Sequence, residues 1–365
     1  MSQVKPHYAG KVEYQMSQEG KTFRRALASA LREELLRDGT VFLLGEDIGK
    51  NGGIFGVTLG FYDEFGQDRI KDTPVSETAI IGLATGAAML GMRPVVEIAF
   101  LDFIFIAMDQ IVNNVAKMRY IYGEKAKLPL VIRAPCGAGL QAGPTHGQSL
   151  YSMFAHVPGL KVVAPATPYD AKGLLIAAIR DDDPVLFVEN MKLYTVKGPV
   201  PDEPYVLPIG KGEVRRKGQD VTVVATMALM YSALAAADEL DKEGIGLEVI
   251  DPRSLVPFDI DLVVESVRKT GRLIVADESP LRCGIQAEIT SLVVERAFDY
   301  LDAPPLRVGI QNVPVPFSPP LEHEIVPNKD KIVKAVKELM HGDDLCQATD
   351  YFPKRTSKTK RGPSK

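Results

Sequence analysis

One acidic residue stands at a predicted helix start, where it could serve a catalytic site. Glu77 follows Pro74 and Ser76, two residue types that favour the first turn of a helix. A carboxylate at that place is stabilised by the helix dipole, which is a structural role. A buried acid there could also accept a short hydrogen bond from a heterocyclic ring nitrogen. The spacing alone leaves both interpretations of Glu77 open.

A histidine and a second acid follow predicted strands. His146 lies in the glycine-rich segment CGAGLQAGPTHGQS after KLPLVIRAP, and Glu46 and Asp47 end the segment VFLLGED. In an open α/β sheet the carboxyl ends of the strands border the ligand crevice. His146 could therefore transfer protons near neutral pH, or it is a loop residue without a role. Glu46 and Asp47 could point into the crevice or cap the next turn.

Aromatic residues and an aspartate triplet complete the candidates. Phe100, Phe103 and Phe105 lie in AFLDFIFIAMDQ, where they could pack in the core or form a platform for a ligand. The run Asp181, Asp182 and Asp183 is typical of a solvated helix end. Such a run could instead help to hold a monovalent cation through one carboxylate and nearby carbonyl groups.

Several function classes are excluded by composition and by missing motifs. The sequence contains no P-loop, no GxGxxG after a first strand, no HExxH and no GxSxG. Its three cysteines form no CxxC pair, which argues against a zinc site. The net charge of −4 excludes nucleic-acid binding through overall charge. No apolar run is long enough for a membrane span, so we expect a cytoplasmic or organelle-matrix protein.

Short apolar strands alternate with helices along two stretches of the chain. This alternation is typical of largely parallel sheets with helices on both faces, so the predicted fold class is α/β with two α/β domains. Between the stretches the proline-rich segment VKGPVPDEPYVLPIGKGEVRRKGQ has no sustained apolar period and predicts a linker. We predict domains over residues 15–195 and 220–342, a linker over 196–219, and a basic flexible tail over 343–365.

The motifs, taken in order, resemble one family. They include GEDIG, DTPVSETAIIGLATGAAMLGMRPVVEIAFLDF, MDQIVNNVAKMRY, PTHGQS, PGLKVVAPATPYDAKGLLIAAIRDDDPVLFVEN, EVIDPRSLVPFD and KTGRLIVADE. Together they resemble the beta chain of the thiamine-diphosphate-dependent decarboxylating component of 2-oxo acid dehydrogenase complexes. Pyruvate, branched-chain 2-oxo acid and acetoin dehydrogenases contain such a chain. The resemblance implies a transketolase-like fold with a pyrimidine-binding domain and a transketolase C-terminal-type domain.

The resemblance also implies roles for individual residues. Glu77 matches the glutamate that hydrogen-bonds the aminopyrimidine ring of thiamine diphosphate, and Phe103 matches an aromatic residue that packs on this ring. His146 matches the active-site histidine that assists acyl transfer to a lipoyl group, and Glu46 matches an acid near the cofactor. A potassium site in relatives implies a ligand set of Leu130, Ala178, Ile179, Asp181 and Asp183.

Partners follow from a motif that the sequence lacks. Thiamine diphosphate enzymes hold the diphosphate through magnesium bound by a Gly-Asp-Gly stretch and a downstream asparagine, and this chain has no GDG. The resemblance therefore implies a separate alpha chain that carries the motif, an α2β2 heterotetramer, and a lipoyl acyltransferase core. The chain reads His146-Gly147-Gln148-Ser149 where many relatives have His-Ser-Gln-Ser. Alternatives are a two-chain transketolase-like or acyloin-type carbon–carbon lyase or ligase outside a dehydrogenase complex, and a non-catalytic scaffold subunit.

Overall fold

The computed structural model describes residues 20–123 and 125–341, in which strands and helices alternate. The strands are β1 (Lys21–Thr22), β2 (Val41–Gly45), β3 (Ile70–Asp72), β4 (Arg93–Glu97), β5 (Val131–Cys136), β6 (Lys161–Val163), β7 (Val185–Asn190), β8 (Lys197–Gly198), β9 (Glu213–Arg216), β10 (Val221–Ala225), β11 (Leu247–Asp251), β12 (Ser254–Val256), β13 (Leu273–Pro280) and β14 (Leu306–Ile310).

The helices fall between these strands. They are α1 (Phe23–Arg37), α2 (Phe61–Phe65), α3 (Glu77–Met89), α4 (Ala116–Ile121), α5 (Ser152–Ala155), α6 (Pro168–Arg180), α7 (Ala228–Leu240), α8 (Ile260–Thr270), α9 (Ile285–Ala297), α10 (Pro319–Ile325) and α11 (Lys329–His341). Helix α6 begins as its sequence predicts, with Thr167 accepting a hydrogen bond from the Asp170 amide and Pro168 in the first turn. None of the helices in the described residues is long and apolar enough to cross a membrane.

The first sheet carries the candidate site residues. Its strand order is β12-β6-β7-β5-β4-β2-β3, and all neighbours are parallel except β12 and β6. Strands β2, β5 and β7 are buried along their whole length, as expected for a parallel sheet covered on both faces. The carboxyl ends of the adjacent strands β5, β4 and β2 therefore meet at one edge.

The second sheet has the order β14-β13-β10-β11-β9, in which only the β9–β11 pair is antiparallel. Two mostly parallel sheets with helices confirm the predicted α/β fold class. The two halves of the chain are also interlocked, because β12 follows β11 in sequence but closes the edge of the first sheet.

The predicted linker contains regular structure. Within it β8 pairs with β1 and β9 joins the second sheet, while buried Lys172 of α6 binds the carbonyl oxygens of Pro201, Asp202 and Glu203 at 2.8, 3.0 and 3.1 Å. The domain limits of 15–195 and 220–342 stay predictions. Residues 15–19, residue 342 and the predicted basic tail, 343–365, lie outside the described residues.

The prediction of one continuous helix after β4 is wrong. The sequence FIFIAMDQIVNNVAKMRYI predicts one helix, whereas the chain forms a 3₁₀ helix over Leu101–Ala107, a π-helix over Gln110–Val115 and then α4. The Asn113 amide donates to the Asp109 carboxylate at 2.7 Å, and Asn114 donates to the Asp109 carbonyl. Such side chains compete with regular helical hydrogen bonds, and π-helical turns are frequent near functional sites.

Candidate functional site

Two carboxylates meet at the carboxyl end of β2. Glu46 directly follows this strand, and Glu77 begins α3 and is only 4% exposed. Burial raises the pKa of Glu46, and the nearby negative charges of Glu77 and Asp47 raise it further, against a hydrogen bond from the Ser76 backbone. In the described residues neither Glu46 nor Glu77 forms an ion pair with a lysine or arginine. The two acids are therefore close enough for their charges to interact, and neither is paired with a lysine or arginine in the described residues.

Asp47 has a different role from that of its neighbour. Its backbone has a φ of 54°, and its carboxylate accepts a hydrogen bond from the Asn51 amide at 3.1 Å. This contact closes the turn after β2. Asp47 therefore has the turn-capping role, one of the two roles that the sequence allows. Glu46 instead lies near Glu77, as expected for a side chain at the ligand crevice.

An aromatic cluster surrounds His146 next to the ends of β4 and β5. The rings of Phe100 and Phe103 lie 4.9 and 5.1 Å from the imidazole, both edge to face. Phe55 contacts Phe100 from the other side at 5.7 Å. The Thr145 hydroxyl lies 3.0 Å from His146 Nδ1, which constrains the ring further. His146 is half-buried rather than freely exposed.

Helix α3 is joined to the segment that carries the aromatic cluster. The Thr78 hydroxyl donates to the Ile106 carbonyl at 2.7 Å, which joins the first turn of α3 to the 3₁₀ helix that carries Phe103. Phe105 stacks on Phe154 at 5.9 Å instead, and it belongs to the core. Because these residues follow the neighbouring parallel strands β2, β3, β4 and β5, the fold brings Glu46, Glu77, Phe103 and His146 to the same sheet edge, which we call the crevice.

Asp102 and Gln148 were not among the predicted site residues. The Gln148 amide donates to Asp102 Oδ1 at 2.7 Å, while Asp102 Oδ2 is buried and has no partner in the described part of the chain. Burial raises the pKa of Asp102, although the Gln148 hydrogen bond and the nearby His146 lower it. Asp102 lies between Phe100 and Phe103, and Gln148 lies two residues after His146. Their closeness in sequence to these candidate residues is the only feature from which a role in the site could have been predicted.

The predicted potassium ligands converge, but protein cations already occupy their oxygens. Arg93 donates to the carbonyls of Ile179 and Asp181 at 3.0 and 2.9 Å, and Lys161 pairs with the carboxylates of Asp181 and Asp183 at 2.6 and 2.9 Å. Arg119 also pairs with Asp183. The remaining two carbonyls, those of Leu130 and Ala178, accept hydrogen bonds from the backbone amides of Val185 and Asp181. In residues 20–123 and 125–341 no group of three or more His, Cys, Asp or Glu side chains is arranged to hold a metal ion.

Comparison with known protein families matches two domain families in sequence order. The pyrimidine-binding domain of transketolase matches residues 19–197, and the C-terminal domain of transketolase matches residues 210–332. Among solved structures, a split-gene transketolase described as an inactive beta4 tetramer superposes with a TM-score of 0.71 at 26% identity. That superposition covers 88% of this chain and 99% of the other.

Three similar curated proteins come from Bacillus subtilis strain 168. The beta subunit of acetoin:2,6-dichlorophenolindophenol oxidoreductase is 45% identical over 327 residues, covering 86% of this chain and 96% of the relative. The beta subunit of 2-oxoisovalerate dehydrogenase is 44% identical, with 86% and 97% covered. The beta subunit of the pyruvate dehydrogenase E1 component is also 44% identical, with 87% and 98% covered.

Proposed function

The chain belongs to the transketolase-like beta subunits of 2-oxo acid dehydrogenase E1 components, and on this premise we propose that its crevice forms half of a thiamine diphosphate site. The carrying observation is the pair of half-buried Glu46 and buried Glu77, which has no lysine or arginine partner in the described residues and lies at the same sheet edge as Phe103 and His146. Close carboxylates without compensation are costly to fold and are typical of functional sites.

The side chains of the crevice fit the pyrimidine end of this cofactor. When bound, thiamine diphosphate supplies the carbon nucleophile that makes decarboxylation of a 2-oxo acid possible. Glu77, at a buried helix start, accepts the hydrogen bond of a protonated ring nitrogen, and the low local dielectric strengthens this bond. Phe103 offers its ring for packing against a flat heterocycle. Burial and the nearby charge of Glu77 raise the pKa of Glu46, so Glu46 binds its proton to a higher pH than an exposed glutamate does.

His146 is proposed to act at the acyl-transfer step. Two edge-to-face contacts with phenylalanine rings and the Thr145 hydroxyl constrain the orientation of its imidazole ring. From there an imidazole can hold or deliver a proton while the acyl group passes to a lipoyl carrier.

The other half of the site is proposed to come from an alpha subunit. The relatives are beta subunits, which implies an alpha partner for this chain as well. We propose that this partner carries a GDG motif with a downstream asparagine, binds magnesium and the diphosphate, and forms an α2β2 heterotetramer. The tetramer would dock on a lipoyl acyltransferase core and act in the cytoplasm or an organelle matrix.

A potassium ion does not fit the predicted ligand set as it stands. Arg93 and Lys161 take the oxygens of Ile179, Asp181 and Asp183, so a cation would have to displace both side chains. We therefore assign potassium no part in the chemistry.

A second candidate function is cleavage of an acyloin, which contains a hydroxyl next to a carbonyl group. It is favoured by two relatives named as acetoin oxidoreductase beta subunits, which are 45% and 46% identical to this chain. The same crevice would serve both reactions, because each breaks a carbon–carbon bond next to a carbonyl group.

Both candidates are tested on one preparation. The chain is tagged in its native host, co-purified with its partner, and the complex is assayed with thiamine diphosphate and magnesium on pyruvate, branched-chain 2-oxo acids and acetoin. We expect an α2β2 mass and cofactor-dependent turnover of one substrate class. Turnover of acetoin alone would select the second candidate, and a homo-oligomer that binds no thiamine diphosphate would refute both.

A further inference from the structure

We propose that Glu322, in the C-terminal half of the chain, is a positioning residue for His146. This inference rests on the proposed function of His146 and adds a residue that acts on it from α10. Glu322 lies 176 positions further along the chain than His146 and does not touch it. It binds the backbone of the glycine-rich loop that carries the histidine.

Each oxygen of the Glu322 carboxylate accepts one hydrogen bond from the loop backbone. The Gly139 amide donates to Glu322 Oε1 at 2.7 Å, and the Gln141 amide donates to Oε2 at 3.0 Å. Glu322 is 3% exposed, and in the described residues it forms no ion pair with a lysine or arginine. Bonds from amides to a carboxylate are stronger than neutral ones, and burial strengthens them further. Its charge is therefore matched by the loop amides.

The loop needs such a contact because its backbone is unusual. Gly137, Gly139 and Gly143 have φ values of 109°, 97° and 76°, and Gln141 has a φ of 60° although it carries a side chain. A backbone of this kind forms no ladder with a neighbouring strand, so its amides need another acceptor. Glu322 supplies that acceptor for two of them.

Two further contacts fix the loop to the same half of the chain. Ala138 is buried in a small apolar cluster with Ile310, Val315, Ile325 and Val326. Beyond His146, the Tyr151 hydroxyl donates to the buried Asp277 of β13 at 2.5 Å. His146 thus lies on a segment held at both ends by residues of the C-terminal half. The position of the imidazole in the crevice depends on these contacts as well as on Phe100 and Phe103.

The first test measures the loop directly in the co-purified complex. Hydrogen–deuterium exchange is followed in peptides spanning residues 136–150 for wild type, Glu322→Gln and the control Glu324→Gln, which changes an exposed acid on the same helix. We expect exchange in the loop to rise about tenfold in Glu322→Gln and to stay unchanged in the control, because an amide side chain offers one acceptor oxygen instead of two. Unchanged exchange in Glu322→Gln would overturn the proposal.

The second test asks whether Glu322 acts through His146. The turnover number and the KM for the 2-oxo acid are measured for Glu322→Gln, His146→Ala and the double variant. We expect Glu322→Gln to lower the turnover number about tenfold with KM and cofactor affinity nearly unchanged, and to have no further effect when His146 is already alanine. The same tenfold loss in both backgrounds would show that Glu322 acts elsewhere and would overturn the proposal.

The outcomes separate this inference from the proposed function. Full activity of His146→Ala refutes the catalytic role of His146, and the positioning role falls with it. An impaired His146→Ala together with a fully active Glu322→Gln refutes positioning alone. If Glu322→Gln does not assemble, Glu322→Asp replaces it. Its shorter carboxylate keeps the charge but reaches one amide, so we expect a smaller change in the same direction in both tests.

Discussion

Buried carboxylates in this protein differ in the partners that satisfy them. Glu97 and Glu189 are buried in the first sheet but share the guanidinium of Arg133, at 2.6 Å each. In this triad each carboxylate is paired directly with the guanidinium, so neither lacks a cation of the protein itself. Glu46 and Glu77 have no such cation in the described chain. A ring nitrogen that carries a proton would supply the missing partner, which makes Glu77 the residue most sensitive to substitution.

We expect Glu77→Gln to reduce cofactor-dependent turnover by about 100-fold or more, because the amide cannot hold a proton at the ring nitrogen. The control Glu265→Gln changes an exposed acid on α8 and should keep full activity. The measurement is steady-state turnover of the co-purified complex at saturating thiamine diphosphate, with thermal unfolding recorded alongside. A loss of less than about threefold in Glu77→Gln would support the scaffold alternative.

A substitution of His146 should separate two partial reactions. We expect His146→Ala to slow acyl transfer to a lipoyl domain by at least about tenfold while cofactor affinity changes less than twofold, because the imidazole acts after the cofactor is bound. Decarboxylation is followed with an artificial electron acceptor, and acyl transfer with a free lipoyl domain. Equal losses in cofactor binding and in acyl transfer would mean that His146 is mainly structural.

Helices and strands whose sequence signals are local could be predicted, whereas features that depend on contacts between distant residues could not. The apolar strands, the capped start of α6 and the glycine-rich loop after β5 follow from neighbouring residues, and so they could be predicted. The break of the 101–121 segment into 3₁₀, π and α turns depends on Asp109 and the asparagines that bind it, which a count of apolar residues overlooks. The contact between Glu322 and Gly139 joins residues 183 positions apart, and no local signal indicates it.

The contact of α6 with the following crossing segment predicts a stability effect. Lys172 is fully buried and binds the carbonyls of Pro201, Asp202 and Glu203 as well as the Glu33 carboxylate at 2.7 Å. We expect Lys172→Met to lower the free energy of unfolding by about 3 kcal/mol, because it leaves these acceptors without a donor. Urea denaturation measures the change, with the exposed Lys197→Met as control. Equal stability of the two variants would contradict this account.

An ion cluster between the two sheets predicts a dependence on pH. Asp170 of α6 and Asp251 of β11 share the guanidinium of Arg215, and burial raises the pKa of Asp251 from 3.8 to about 6. Native Asp251 therefore keeps its proton at pH values where the unfolded chain has lost it. In the window from about pH 4 to pH 6 the native state binds more protons, so this residue's contribution to stability falls as pH rises.

We expect the stability of wild type relative to Asp251→Asn to fall by about 1.4 kcal/mol per pH unit within that window and to level off above it. Denaturation at pH 5, 6 and 7.5 measures the difference. Asp261→Asn, which changes an exposed aspartate, should show no comparable slope relative to wild type. A stability difference between wild type and Asp251→Asn that is independent of pH would contradict the raised pKa.

Several large apolar side chains are exposed on elements that carry or follow the residues of the crevice. Large apolar side chains on α3 and just after it, on the neighbouring 3₁₀ helix and around the end of α4 are exposed by 52–88%; they are Leu83, Leu90, Ile106, Tyr120, Ile121 and Tyr122. Exposed apolar side chains of this size are frequent at protein interfaces. The helix that carries Glu77 and Leu83 is joined to the 3₁₀ helix that carries Phe103 and Ile106 by the hydrogen bond from Thr78. A partner bound there would cover the open side of the crevice.

This location predicts that assembly and cofactor binding are lost together. We expect Leu83→Lys and Ile106→Lys to weaken association with the alpha chain by at least about tenfold, because a lysine is costly to bury in an apolar contact. Thiamine diphosphate affinity should fall in parallel, while the circular dichroism of the isolated chain stays unchanged. Leu36→Lys, on an exposed position of α1, serves as control. Analytical ultracentrifugation and calorimetric titration give the two quantities. Full assembly of both variants would place the alpha subunit on another face, and assembly without cofactor binding would show that the substitutions act on the crevice itself.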